Sequence, residues 1–287
     1  MKPCFAIEIV TPKKYLLKGL WFGPTRPKKA IIFVHGLGSS ALNQHSLIEP
    51  WINKKTAVIT FSNRGHDKIA SLHKLVKNKK GYVSKIAGEA HEVFTDCVDD
   101  IAGVVNFVRQ RGVKETYLVG HSTGCQKSVY YVSKKPDRIV KRLILLAPVS
   151  DYAEAVMSDK NNKLAKATKV ARALVKSGKK HELLPSNVCD DIVDAQRFLS
   201  LYTPNSIEEI FSYAQPKKNP ATLKKIKLPV LAVLGENDEY GDRPAKDIVS
   251  WFEKHVNSKS KAIVFPGVMH NFTGGEKRLA KVVSKWL

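Results

Sequence analysis

Cysteine is scarce: four residues in 287, Cys4, Cys97, Cys125 and Cys189, far apart along the chain. Their scatter excludes a disulfide scaffold and a cysteine-rich metal module, and it fits reduced thiols in a cytoplasmic protein. No apolar run approaches the ~20 residues of a membrane-spanning helix. The opening MKPCFAIEIVTP carries one lysine and a short apolar stretch interrupted by Glu8, which is no signal-peptide pattern. Internal repeats and low-complexity segments are also missing. Acidic residues are few, 26 against 48 lysines and arginines, leaving a net charge of +22. The lysines spread over 74–85, 160–180, 217–227 and 254–261. No helix-turn-helix, zinc finger or RNP-like strand pair accompanies them, so a solvated basic surface is expected rather than a specific nucleic-acid partner. Such a surface would also favour anionic small molecules.

What is present reads as α/β. Phe5–Val10 and Tyr15–Phe22 form a strand pair around the Thr11-Pro12 break. Ala30–Val34, Thr56–Phe61, Tyr117–Val119, Leu143–Leu146, Pro229–Leu234 and Ala262–Phe265 are short β-rich apolar runs. Such runs suit strands buried on both faces of a mostly parallel sheet. Helices are expected over Ala41–Asn53, capped by Ser39 or Ser40, over Glu89–Arg111, Thr123–Lys135, Pro244–His255 and Glu276–Trp286. Residues 66–88 read as a lysine-rich loop. From 151 to 228 no buried strand occurs and the pattern is helical, which divides the chain into a core of 1–150 and 229–287 and a cap insertion of 151–228. In that insertion Lys163, Lys166, Lys169, Arg172 and Lys176 share one side of a projected helix, a solvated face.

Gly120-His-Ser-Thr-Gly124 follows one predicted strand and opens a helix. G-x-S-x-G in a strand–turn–helix is the pattern of a nucleophile elbow; glycines flank the serine because the backbones there crowd each other. With that motif the chain resembles the α/β-hydrolase superfamily over nearly its whole length. The resemblance implies the order serine, acid, histidine. Ser122 would be the nucleophile. Gly235-Glu-Asn-Asp238 resembles the superfamily's acid turn and points to Asp238, with Glu236, Glu239, Asp242 and the earlier Asp151 as alternatives. His270, after the last strand, would be the base. The amides of Leu37, in His35-Gly-Leu-Gly38, and of Thr123 would form the oxyanion site. His121 and Cys125 read as packing residues. The Arg64-Gly65-His66 turn reads as structural, with Arg64 or His66 able to line the site. His91, Asp96, Asp99 and Asp100 read as a solvated acidic helix start. No cofactor and no metal are expected.

The resemblance implies acyl transfer. A serine at the elbow, where epoxide and haloalkane hydrolases carry aspartate, favours carboxylic esters of small to medium size. Small carboxylesterases and, less closely, siderophore-ester and feruloyl-type esterases share these features. An aminopeptidase-like amide hydrolase would need acidic residues to hold a substrate amine; Asp190, Asp191 and Asp194 are candidates. A non-catalytic binding protein on the same scaffold is the third reading, against which the complete serine, acid and histidine set argues.

Overall fold

A computed structural model describes residues 2–287. Ten strands join in one sheet. The parallel strands are β3 (Lys29–Val34), β4 (Thr56–Phe61), β7 (Glu115–His121), β8 (Val140–Leu146), β9 (Val230–Gly235) and β10 (Lys261–Phe265). They lie in the order β10-β9-β8-β7-β3-β4. Beyond β4 the pairing turns antiparallel, through β2 (Tyr15–Phe22) to β5 (Ala70–Leu75) and β6 (Tyr82–Ala87), and β1 (Cys4–Val10) pairs with β2.

The parallel strands are buried on both faces, as their apolar runs require. Along β7, Leu118 packs into one core with Ile101, Val105 and Val129, while Tyr117 and Val119 face the other core with Trp51, Leu279 and Val283. That alternation is the period of two that a strand imposes. Helices α2 (Cys97–Gln110), α3 (Thr123–Lys134) and α8 (Ala245–His255) cover the first face; α1 (His45–Ile48) and α9 (Glu276–Trp286) cover the second.

Three expectations are corrected. The lysine-rich stretch is a hairpin, β5 and β6, closed where Val76 N–H donates to the Gly81 carbonyl. The helix expected from Glu89 begins only at Cys97, after two 3₁₀ turns at Glu89–His91 and Phe94–Asp96, the second running into it. Glu92 between them is extended and its side chain is buried, held by ion pairs that a continuous helix would not reach. Likewise the helix expected over Ala41–Asn53 is reduced to α1 and a 3₁₀ turn at Glu49–Trp51.

Between β8 and β9 the chain runs through α4 (Asp151–Ser158), α5 (Lys163–Lys176), α6 (Ala195–Tyr202) and α7 (Ala221–Lys224) without adding a strand to the sheet. Ala167, Ala171, Leu184, Val193 and Phe198 give this stretch a small core of its own. The five basic residues of α5 are exposed.

A line of buried charge ties this stretch to the sheet. The ammonium of Lys127 on α3 is 2.6 Å from the Glu92 carboxylate. Glu92 also accepts from Arg197 on α6 at 2.8 Å, and Arg197 pairs with Glu208. Ser200 Oγ donates to the same Glu208 oxygen at 2.7 Å. All four charged side chains are buried, and they alternate in sign, so each desolvated charge has an opposite neighbour. Removing one member strands its partners, and such losses cost about 3–5 kcal/mol. Arg197→Met is therefore expected to lower unfolding free energy by that amount, read from the urea midpoint at constant m-value; a change under about 1 kcal/mol would contradict this account of the line.

Candidate active site

The loops that follow four of the parallel strands converge at the sheet's carboxyl edge, where open α/β sheets bind ligands. His35–Gly38 follows β3, Ser122 follows β7, Asp238 follows β9 and His270 follows β10. Val34 pairs with Gly120, which brings the first two loops side by side.

Ser122 sits immediately before α3 with φ 54° and ψ −130°. A side-chain-bearing residue rarely adopts such a positive φ, and the surroundings must enforce it. Here the enforcement is steric and hydrogen-bonded. A Cβ on Gly120 would collide with the backbone of Gly124 and Cys125, and one on Gly124 with the Val34 carbonyl. Only glycine permits the strand and helix to meet this closely. Ser122 N–H donates to the Leu146 carbonyl at 2.9 Å, pinning the turn to β8. A Cβ on Gly36 would lie 2.8 Å from Ser122 Cβ and 3.3 Å from its Oγ, so the Gly36–Leu37 backbone lies against the hydroxyl. Neither Leu37 N–H nor Thr123 N–H donates to a protein acceptor among the described residues. The second is among the first amides of α3, which have no partner inside the helix.

His270 Nδ1 lies 2.9 and 3.0 Å from the two carboxylate oxygens of Asp238. Both side chains are buried. Donation from Nδ1–H leaves Nε2 with its lone pair. Of the acids weighed at this position, only Asp238 meets the ring. Glu239 instead accepts from His270 N–H at 2.9 Å, and Glu236 from Gly267 N–H at 2.9 Å. Tyr240 stands edge-on to the imidazole at 4.7 Å between centroids. Asp151 turns to Gln126, whose Nε2 donates to it at 3.2 Å. The holding roles of Glu236 and Glu239 were not foreseen, although both flank Asp238 in sequence.

Two other histidines are buried as neutral rings. His35 Nε2 accepts from Asn63 N–H at 3.1 Å, so its Nδ1–H donates to the Gly36 carbonyl at 2.8 Å. Burial, with Lys127 nearby, pulls its pKa down to about 3. His121 borders the cavity beside Ser122, and its Nε2–H donates to the His270 carbonyl at 3.1 Å. Burial first and His270 second lower its pKa to about 4. His121 thus does more than pack: it holds the His270 loop. Cys125 is fully buried, its thiol pushed up by burial, in hydrogen-bonding reach of the Gly120 and Leu146 carbonyls.

Arg64 donates to Asp99 and Asp100 at 2.7 Å each and stacks 4.3 Å over the Tyr15 ring. Asp99 and Asp100 are buried beneath it, not solvated as expected. Neither Arg64 nor His66 borders the cavity around Ser122.

That cavity measures about 310 Å³ and is bordered by Gly36, Leu37, His121, Ser122, Tyr240 and His270 from the sheet side and by Asp151, Glu154 and Tyr202 from the helical stretch. Glu89 also reaches it, paired with Lys68. No lysine or arginine borders it, so the excess positive charge lies elsewhere on the chain. Of Asp190, Asp191 and Asp194, none borders it: they pair with Lys163, with Lys68, and with His91 and His181.

The pattern of DUF1749, described as a protein of unknown function, matches residues 92–287, more than half of the chain. The chain belongs to the DUF1749 family. Its fold is that of the α/β hydrolases. Over 100% of this chain and 97% of theirs, the siderophore hydrolase EstB from Aspergillus fumigatus superposes with TM-score 0.70 at 17% identity. The esterase Pf2001 of Pyrococcus furiosus gives 0.62 at 18% identity, covering 100% of this chain and 91% of that one. Est1E from Butyrivibrio proteoclasticus, solved with ferulic acid, gives 0.62 at 19%, covering 98% and 97%. No curated protein sequence matches this DUF1749 chain.

The neutral His121 has a measurable consequence. Unfolded, its pKa is ordinary, near 6.5; folded, it is about 4. As pH falls through 6.5 the unfolded chain gains a proton that the folded chain refuses until about 4, so acid destabilises the fold in that window. The contribution approaches about 1.4 kcal/mol per pH unit. His121→Asn, which keeps a donor for the His270 carbonyl, is expected to flatten the stability difference between pH 7 and pH 5 relative to wild type in urea titrations. An unchanged difference would mean that His121 is protonated in the fold.

Proposed function

We propose that the chain is a serine hydrolase that cleaves carboxylic esters of small to medium size through an acyl-enzyme at Ser122. The observation that carries this reading is Ser122's backbone, held at φ 54° in one cavity with an imidazole whose Nδ1 is committed to a buried carboxylate. Strain of that kind exposes a hydroxyl at a helix N-terminus, where negative charge is favoured.

The chemistry follows from the donor and acceptor roles. His270 Nε2 removes the Ser122 proton as Oγ attacks the ester carbonyl. Asp238 keeps Nδ1 protonated and stabilises the imidazolium. The carbonyl oxygen becomes an oxyanion received by Leu37 N–H and Thr123 N–H, which have no competing acceptor. Collapse breaks the ester C–O bond, and His270 returns the proton to the leaving alcohol. Water, deprotonated by the same nitrogen, then hydrolyses the acyl-serine. Residues 151–228 form a cap in this reading. A second cavity, bordered by Leu164, Ala167, Val188 and Phe198, shares Glu154 and Tyr202 with the first, so an acyl chain outgrowing the cavity at Ser122 would run between α4 and α5.

The second reading is an amide hydrolase, and one observation favours it. Asp151 and Glu154 border the cavity without a lysine or arginine partner, and they suit a substrate ammonium better than the paired Asp190, Asp191 and Asp194. The same wall disfavours the anionic substrates that net charge alone suggested.

A fluorophosphonate probe is expected to label the wild-type chain and not Ser122→Ala. A folded wild type that stays unlabelled would sink the hydrolase reading. Asp238→Asn should lower kcat on p-nitrophenyl esters by on the order of 10⁴-fold. A preference for short acyl chains over aminoacyl anilides would separate the ester reading from the amide one, and the reverse preference would select the amide.

A further inference from the structure

We infer a divalent-metal site, of the kind that takes zinc, at His91, His181 and Asp194. It shares no residue with the cavity around Ser122 and holds whatever Ser122 does.

Asp194 is the N-cap of α6: one oxygen accepts from Arg197 N–H at 2.8 Å. The other meets His91 Nδ1 at 3.1 Å and His181 Nδ1 at 2.9 Å. All three donor atoms lie within 4.8 Å of one another. Zinc bonded at 2.0–2.1 Å to nitrogen and oxygen in a tetrahedron separates its ligand atoms by roughly 3.3 Å. The two nitrogen–oxygen gaps, 3.1 and 2.9 Å, are a few tenths of an ångström short of that and the two nitrogens lie within 4.8 Å of each other, so modest side-chain rotations would admit the ion. Two nitrogens and one carboxylate are donors that zinc accepts, and three protein ligands leave a position for water. His91 and His181 also border a cavity of about 360 Å³, which gives that water access.

Charge points the same way. The Asp194 side chain is 0% exposed, and no lysine or arginine side chain pairs with it among the described residues. A carboxylate so desolvated needs a positive partner. The cations that border the neighbouring cavity are Arg64, committed to Asp99 and Asp100, and Lys85. Without metal, the two imidazoles can donate Nδ1–H to Asp194. Metal binding moves each hydrogen to Nε2 and frees Nδ1 to ligate, with no net proton required.

The three ligands come from two parts of the chain. His91 ends the turn that carries Glu89 to the Ser122 cavity; His181 and Asp194 belong to the helical stretch. Asp194 N–H already donates to the Ala90 carbonyl at 2.8 Å. A metal ion would therefore clip the helical stretch to the sheet beside the pocket wall, a structural role rather than a catalytic one.

The test uses the full chain stripped of metal by chelator dialysis, titrated calorimetrically with zinc chloride and followed by thermal unfolding. One equivalent should bind and raise Tm. His181→Ala alters a half-exposed side chain, so its fold should survive by far-UV circular dichroism; it should lose both the binding and the Tm rise. Asp194→Asn should lose zinc binding where it folds. A wild type that binds no zinc, or a His181→Ala chain that binds as wild type does, would overturn the site in favour of a metal-free hydrogen-bond cluster or of adventitious binding at other histidines and cysteines.

Discussion

Four buried charges, Lys127, Glu92, Arg197 and Glu208, hold the functional face of this fold together. Hydrophobic contact alone could seat the helical stretch against the sheet in many registers, because apolar burial has no direction. An alternating line of desolvated charges has one arrangement that leaves nothing unpaired. Its reach extends further than the ions. Lys127 lies 3.4 Å from Asn63 Oδ1, Asn63 N–H donates to His35, and His35 donates to Gly36 beside Ser122. The positive charge of Lys127 also helps to keep His35 neutral. A neutral His35 can accept from Asn63; a protonated one cannot. The loop against the serine is thus linked through Lys127 and Glu92 to Arg197 on α6.

Around that frame, three acidic residues in one short turn divide the labour of holding a single loop. Asp238 takes the imidazole, Glu239 the His270 amide and Glu236 the Gly267 amide. His121 adds the His270 carbonyl from the opposite side. One contact to the ring and three to the backbone of its loop, from the ends of β9 and β7, hold His270 in place.

How legible this was depended on whether a residue's partner was local. The continuous apolar runs of β3, β4 and β9 became buried parallel strands, and α9 falls on Glu276–Trp286 as its pattern suggested. The elbow was legible because its steric demand is written in Gly120 and Gly124 themselves. Hairpin β5–β6 was hidden: its strands are half-solvated and its turn carries Lys77, Lys79 and Lys80, and solvated strands carry little apolar signal. The late start of α2 and the burial of Asp99 and Asp100 were hidden for another reason. Glu92 is drawn inward by Arg197, more than a hundred residues away, and the two aspartates by Arg64. Nothing near a carboxylate in sequence announces a distant guanidinium. The meeting of His91 with Asp194, about a hundred residues on, is of the same kind.

The order of the parts along the chain has a consequence for synthesis. Ser122 and its elbow belong to strands that follow one another closely, while β9 and β10, which carry Asp238 and His270, come only after the whole helical stretch. β9 lies beside β8 in the sheet although about eighty residues separate them. A chain emerging from the ribosome therefore exposes the β8 edge until the helical stretch has followed and β9 can dock. During that interval Ser122 has neither His270 nor Asp238 in the same fold. Until then an incomplete chain carries an unpaired strand edge that invites the wrong partner.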